Sequence, residues 1–219
     1  MPICLPRHST LRFLANWIIP RLSPRGLILS PSSMGSTMKI TPSELEKLQD
    51  AVYWVCKIAQ SKGLKLFSIP LSKIIFLADR RCYLRNLKPM IADAYVHGKN
   101  GPYLESLRTA ISNLKSEGYI RTERRKYGIH YKTEYYLGCR SDRYQINNIS
   151  KNNLEELREI TFDVLVNETA ETVSGFTHNH AWQVSVEKEH IPMCAQLITQ
   201  PAEITDEDVE WAKSTVAHM

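Results

Sequence analysis

The side chains with the most chemical capability stand late in the chain, in Phe176-Thr-His-Asn-His-Ala-Trp182, with His190 a little further on. Two imidazoles at i and i+2 of a helix point about 200° apart, so His178 and His180 share a metal ion only if the backbone there is extended. No cysteine or carboxylate stands at ligand spacing beside them. One capping or packing histidine and one surface histidine account for the pair more simply. A second group is Asp79-Arg80-Arg81, which closes an apolar run. A carboxylate beside two guanidiniums reads as ionised and paired, and catalysis would call for a second acid. A third is His97-Gly-Lys-Asn-Gly-Pro102, which has neither the spacing of a phosphate loop nor that of a dinucleotide turn. It reads as a turn that brings two helices close. No catalytic residue, metal or cofactor is implied, and the chain reads as a non-enzyme.

The fourth group is basic and aromatic. Arg121, Arg124, Arg125, Lys126 and Lys132 alternate with Tyr127, Tyr131, Tyr135 and Tyr136. Such a pattern can meet phosphates and bases, and these five cations are the candidate nucleic-acid contacts. Against this, the preceding helix offers only Arg108 and Lys115, and its Glu105 and Glu117 repel DNA.

The elements that must hold these groups follow from periodicity. Thr41-Pro-Ser-Glu44 is a capping box with proline at the first helical position. Leu45, Leu48, Val52, Val55, Cys56 and Ala59 continue it as one apolar stripe, which Gly63 stops. A short link leads to a second helix from Pro70 to about Arg85, with Leu71, Ile74, Ile75, Leu77 and Ala78 buried. Residues 86–101 read as loop with an extended piece near Ala94–His97. Pro102 is expected to open a third helix that runs to Glu117 and buries Leu104, Leu107, Ile111 and Leu114. Two runs rich in tyrosine, isoleucine and threonine then hinge at Tyr127-Gly128 as a β-hairpin. A fourth helix is expected from Leu154 to about Thr172, broken at Ser174-Gly175, and a short one over Thr177–Val186. Ile191-Pro192 is extended. Thr205-Asp-Glu-Asp208 has the spacing to start a terminal helix.

The fold class is therefore mainly α (α+β): a helical domain with a small β-hairpin and a winged-helix-like helix–helix–hairpin order in its middle. Three parts are expected. Residues 1–37, rich in proline, serine and arginine, form a poorly ordered leader outside the native fold. Residues 38–193 form the domain, and 194–219 an acidic extension.

With 219 residues, 43% of them hydrophobic, the chain can bury a full core. Its five scattered cysteines fit neither a disulfide framework nor a zinc site and suit a reducing cytoplasm. No apolar run approaches a membrane span. The net charge of +5 is unevenly spread. Residues 1–37 carry +4, residues 38–150 carry 20 basic and 10 acidic side chains, and residues 151–219 carry 4 and 13. The acidic part either attracts the basic part within one fold or faces a basic partner.

Four of these stretches together resemble a known family. They are Leu71-Ser-Lys-Ile-Ile-Phe-Leu-Ala-Asp-Arg80, Lys99-Asn-Gly-Pro-Tyr103, Leu114–Ile120 and Phe176–Trp182. Their order and spacing are similar to those of the Panacea domain of SocA-like antitoxins, over about Thr41 to Ile191. The resemblance implies a mostly helical α+β domain without catalytic residues. It implies binding and neutralising a cognate protein toxin, and in the prototype delivery of that toxin to a protease. The motif positions carried over as partner-binding residues are Asp79, Gly101, Pro102, His178 and Trp182. Thr177 stands where the family usually has serine, His180 is an extra histidine, and the basic hairpin is longer than the family minimum. The alternative reading is a winged-helix DNA-binding regulator that uses hairpin 121–136.

Overall fold

The computed structural model describes residues 41–197. Thr41 opens the fold with the expected reciprocal cap. Its hydroxyl accepts the Glu44 N–H at 3.2 Å, and the Glu44 carboxylate accepts the Thr41 N–H at 2.7 Å. Helix α1 (Pro42–Ser61) follows and buries Leu48, Ala51, Val52, Val55, Cys56 and Ala59. Strand β1 (Leu66–Phe67) leads into helix α2 (Ser68–Asn86). Leu71, Ile74, Ile75, Phe76, Leu77 and Ala78 of α2 are all essentially inaccessible to solvent. These buried positions leave no polar stripe between Leu71 and Asp79, so the middle of α2 is surrounded by protein while its two ends reach solvent. It is the axis of the core.

After α2 come strand β2 (Ala94–Val96), helix α3 (Leu107–Ser116) and the hairpin of β3 (Ile120–Tyr127) and β4 (His130–Leu137). Helix α4 (Lys151–Phe162) runs into a π turn (Asp163–Asn167). Helix α5 (Ala170–Thr177), helix α6 (His180–Val184), strand β5 (His190–Pro192) and a 3-10 turn (Met193–Leu197) complete the described chain. The architecture is mainly α, with two small antiparallel sheets of order β1-β4-β3 and β2-β5. No helix among the described residues is long and apolar enough to cross a membrane.

Three sequence expectations change. The link after α1 contains β1, which pairs Leu66 with Tyr135 and Phe67 with Glu134. Two residues are too few for a periodic signal. Pro102 does not start α3, which begins at Leu107. Val96 and Tyr103 exchange backbone hydrogen bonds of 2.8 and 3.0 Å, and this bridge holds the segment around Pro102 out of helix. The late helix breaks at Glu168-Thr169, not at Ser174-Gly175. Glu168 is extended after the π turn, and the Thr169 hydroxyl caps a new helix by accepting the Thr172 N–H. Gly175 then lies inside α5, and Asn179 caps α6 through the Trp182 N–H. The leader 1–37 and the helix expected from Thr205 lie outside the described residues.

Two buried aspartates fasten long connections to helices. Asp50 of α1 accepts the Tyr144 hydroxyl at 2.8 Å and the backbone N–H groups of Asn147 and Asn148 at 3.1 and 2.7 Å. Asp79 of α2, with no exposed surface, accepts Ile91 N–H at 2.7 Å, Ala92 N–H at 3.0 Å and the Tyr95 hydroxyl at 2.7 Å. Each carboxylate satisfies backbone donors that no strand or helix satisfies. The two halves of the charge distribution also meet. Arg81 and Arg85 of α2 pair with Glu156 of α4, and Arg81 also reaches Glu159.

Asp79→Ala leaves two buried N–H groups and a phenol without their acceptor. We expect a loss of about 3 kcal/mol or more, read from urea unfolding curves. A loss below about 1 kcal/mol would show that the 90–95 segment is held by other contacts.

Candidate functional site

Helix α2 and strand β2 place the site. Asp79 fixes residues 91–95, Tyr95 packs edge-on against Phe76 with ring centroids 5.1 Å apart, and β2 then pairs with β5. Burial pushes the Asp79 carboxyl up to about 7, against the opposing pull of Tyr95 and the backbone donors. Asp79 is thus not paired with Arg80 or Arg81, as its sequence neighbours suggest. Neighbours on a helix point about 100° apart, so Asp79 faces the core. Arg81 turns to Glu156 and Glu159, and Arg80 donates to the Phe176 carbonyl at 3.0 Å.

Beyond β2 the chain makes the Gly98–Gly101 turn, closed by Gly101 N–H to the Gly98 carbonyl at 3.0 Å. Gly101 has φ +106°, open to glycine and strained for any other residue. A methyl group there would stand 3.1 Å from Thr177 Oγ1 and 3.2 Å from His178 Nε2. The turn therefore lies directly against the late histidine element. Gly101 and Pro102 are buried.

Trp182 is the centre of that element. Its indole is sandwiched between His178, with centroids 3.9 Å apart and planes 9° from parallel, and His97, at 4.4 Å and 21°. Its Nε1–H donates to the Gly98 carbonyl at 3.2 Å. His97 Nδ1 hydrogen-bonds Ser185 Oγ at 2.8 Å, and Ser185 donates to the Trp182 carbonyl. Burial, then the nearby Lys73 ammonium, holds the His178 imidazole below its usual range, against a hydrogen bond to the Asn100 backbone. His178 closes α5, and His180 is the first residue of α6. Among the described residues, no three His, Cys, Asp or Glu side chains gather closely enough to hold a metal.

Lys73 lies on the other side of the element. It is 4% exposed, and its ammonium donates to Ser174 Oγ at 2.7 Å and Thr177 Oγ1 at 3.2 Å. Thr177 in turn donates to backbone carbonyls of α5. Burial pulls the Lys73 amine down to about 8. Among the described residues it has no salt bridge.

The structure therefore gathers Gly101, Pro102, His178 and Trp182 into one assembly, and Asp79 supports it from inside. Sequence reasoning gave no role to Lys73 or Tyr95 and read His97 only as the start of the glycine turn. For Lys73 there was a signal: a single cation inside the apolar run from Leu71 to Ala78. His97 carried none, since its stacking partner is remote in sequence.

The basic hairpin is a separate surface. Arg121 and Arg125 both reach Glu123, Arg125 also lies 3.5 Å from Glu134, and both guanidiniums lie over the Tyr136 ring. Arg124 covers Tyr131, and Lys132 covers Phe67 and Tyr127. Arg124, Lys126 and Lys132 have no salt bridge among the described residues.

A family model for the SocA-like antitoxin Panacea domain matches residues 71–183, a little over half of the chain. The match begins two residues before Lys73 and ends one residue after Trp182, so it spans the assembly. No curated protein and no solved structure matches the chain. The chain belongs to the SocA-like Panacea domain family, and with it comes a toxin–antitoxin role, and a toxin partner, in general terms.

Two outcomes test this geometry. Gly101→Ala meets both a positive φ and the Thr177–His178 wall, and should shift Trp182 fluorescence and cost about 1–3 kcal/mol. Lys73 gives a pH signature. A lysine in the unfolded chain keeps its proton to about 10.5, whereas the folded one releases it near 8. Between these values the unfolded state binds more protons, so the Lys73 contribution to stability rises with pH. Relative to Lys73→Met, the wild type should gain roughly 1–3 kcal/mol between pH 8 and pH 10. A pH-independent difference would contradict the burial of the charge.

Proposed function

We propose that this Panacea-family chain neutralises its toxin by direct binding, through the face where the 97–100 turn meets α6. The observation that carries the reading is the His97–Trp182–His178 stack. It fixes a partly buried tryptophan in α6, a helix that ends at exposed Val184 and is followed by exposed Val186, 65% and 71% accessible. Aromatic anchors with little rotamer freedom, flanked by apolar contact area, are the residues that dominate protein–protein affinity. Lys99 and Asn100 are exposed on the adjoining turn and supply polar rim contacts.

In this reading the motif residues divide by role. Trp182 and its apolar neighbours touch the toxin. His178, Gly101 and Pro102 shape the face, and Asp79 supports it without reaching the surface. Binding occludes the toxin's working surface and involves no bond chemistry in this chain. Delivery to a protease is an additional step in which the same face holds the toxin as cargo.

A second reading is favoured by Arg124, Lys126 and Lys132, whose charges no carboxylate neutralises among the described residues. They fit phosphate contacts of the hairpin on DNA, as in autoregulation. Glu123 and Glu134 on the same hairpin weigh against it by tying up Arg121 and Arg125.

The experiment is co-expression with the product of the adjacent reading frame, scored by growth and by co-purification. The wild type should restore growth and co-purify. Trp182→Ala and Val184→Asp should reduce capture at least tenfold while circular dichroism stays native. Arg124→Glu with Lys126→Glu should leave neutralisation intact. Loss of rescue in the hairpin variant, with Trp182→Ala still active, would move the toxin surface to the hairpin. Loss of DNA retardation in that variant, with rescue unchanged, would assign the hairpin to DNA.

A further inference from the structure

Lys73 stands between two clefts. The larger, about 620 Å³, opens among the start of α2, the hairpin, the π turn and α5, and the smaller, about 250 Å³, opens toward the 98–101 turn. The first is within the size range of small-molecule sites. Phe67, Pro70, Val164 and Leu165 give it apolar walls. Its charged lining is lopsided: Lys65, Lys73 and Lys132 against Glu168. The Lys65 and Lys132 ammoniums are held over the Tyr127 ring at 5.7 and 5.6 Å, and Lys132 also over Phe67, so aromatic faces and no carboxylates position them.

The ammonium of Lys73 is the unusual member. A cation this deeply buried normally has a counter-charge, because two hydroxyl dipoles do not replace its hydration. Ser174 and Thr177 take two of its three N–H donors, leaving one for a group in the cleft. Ser174 lines the same cleft and adds a hydroxyl beside the ammonium.

We propose that this cleft is a binding site for a small phosphate monoester whose phosphate sits against Lys73 and Ser174 and whose apolar or aromatic body lies against Phe67 and the Val164–Leu165 wall. Three lysines facing one glutamate leave an excess of two positive charges, the complement of a phosphate dianion. Lys65 and Lys132 close over it from the rim, and the volume fits a ligand of mononucleotide size. The site lies beside the Trp182 face, with Asn100 on the border of both, and the proposal does not depend on the toxin-binding reading.

The test is isothermal titration of the full chain with phenyl phosphate and with adenosine 5′-monophosphate, using phenol and adenosine as uncharged controls. Both esters should bind saturably below the millimolar range, and the uncharged analogues at least tenfold more weakly. Lys73→Met should weaken phenyl phosphate at least tenfold and Lys132→Ala severalfold. In the wild type, phenyl phosphate should protect the exposed rim lysines Lys65 and Lys132 from acylation, mapped by mass spectrometry, and leave Lys47 and Lys57 unprotected. Absence of saturable binding by both esters, equal binding of the uncharged analogues, or unchanged affinity in Lys73→Met overturns the proposal. Should Lys73→Met fail to fold, Lys132→Ala and the protection experiment decide it alone.

Discussion

A single carboxylate inside α2 organises the part of the molecule that the family fingerprint spans. Asp79 is removed from water in the buried middle of its helix, and its oxygens take two backbone donors from Ile91 and Ala92, which lie outside helix and strand, and the phenol of Tyr95 in β2. The three donors offset part of the carboxylate's desolvation, which still outweighs them and keeps the acid well above its ordinary range. Because Asp79 fixes where residues 91–95 run, it also fixes β2, the pairing of β2 with β5, and the position of His97 and Gly98 against Trp182. The Trp182 face is thus set by a residue that has no exposed surface itself.

Helix α2 carries a second buried charge on a different side. Lys73 and Asp79 are six positions apart, which sets their side chains about 120° from each other and about 9 Å apart along the helix axis, so they do not neutralise one another. Asp79 gathers backbone on the β2 side, while Lys73 meets only hydroxyls on the α5 side. The acid has a full set of partners and reads as structure. The base has an incomplete set beside an open cleft, and that difference is the reason only the base suggests a ligand.

Much of this was legible in the sequence where the signal was periodic or chemical over several residues. The capping box at Thr41, the stripes of α1 and α2, the hairpin hinge and the ordered motif set all appear as read. What was not legible depended on partners far along the chain. Strand β1 exists because Leu66 and Phe67 find Tyr135 and Glu134. Pro102, a sound helix-start signal by local rules, is held extended by the Val96–Tyr103 bridge. Asp79 reads as an ion pair from its neighbours and becomes a backbone acceptor because the helix turns it inward. The Trp182 sandwich needs His97, whose identity as a stacking partner no local pattern could give.

Several of the bonds that close the fold span most of the described chain. Lys73 meets Ser174 across 101 residues, Trp54 meets Leu154 across 100, and β2 receives β5 from nearly as far. Contacts of such separation form slowly, because the intervening loop must close before they yield any stabilisation. On a ribosome, β2 is therefore synthesised long before its partner strand exists, and its edge stays open until Ile191 has emerged. Any chain released before that point carries an unpaired strand. Synthesis to the end of β5 is thus the point at which the sheet that backs the Trp182 element can close.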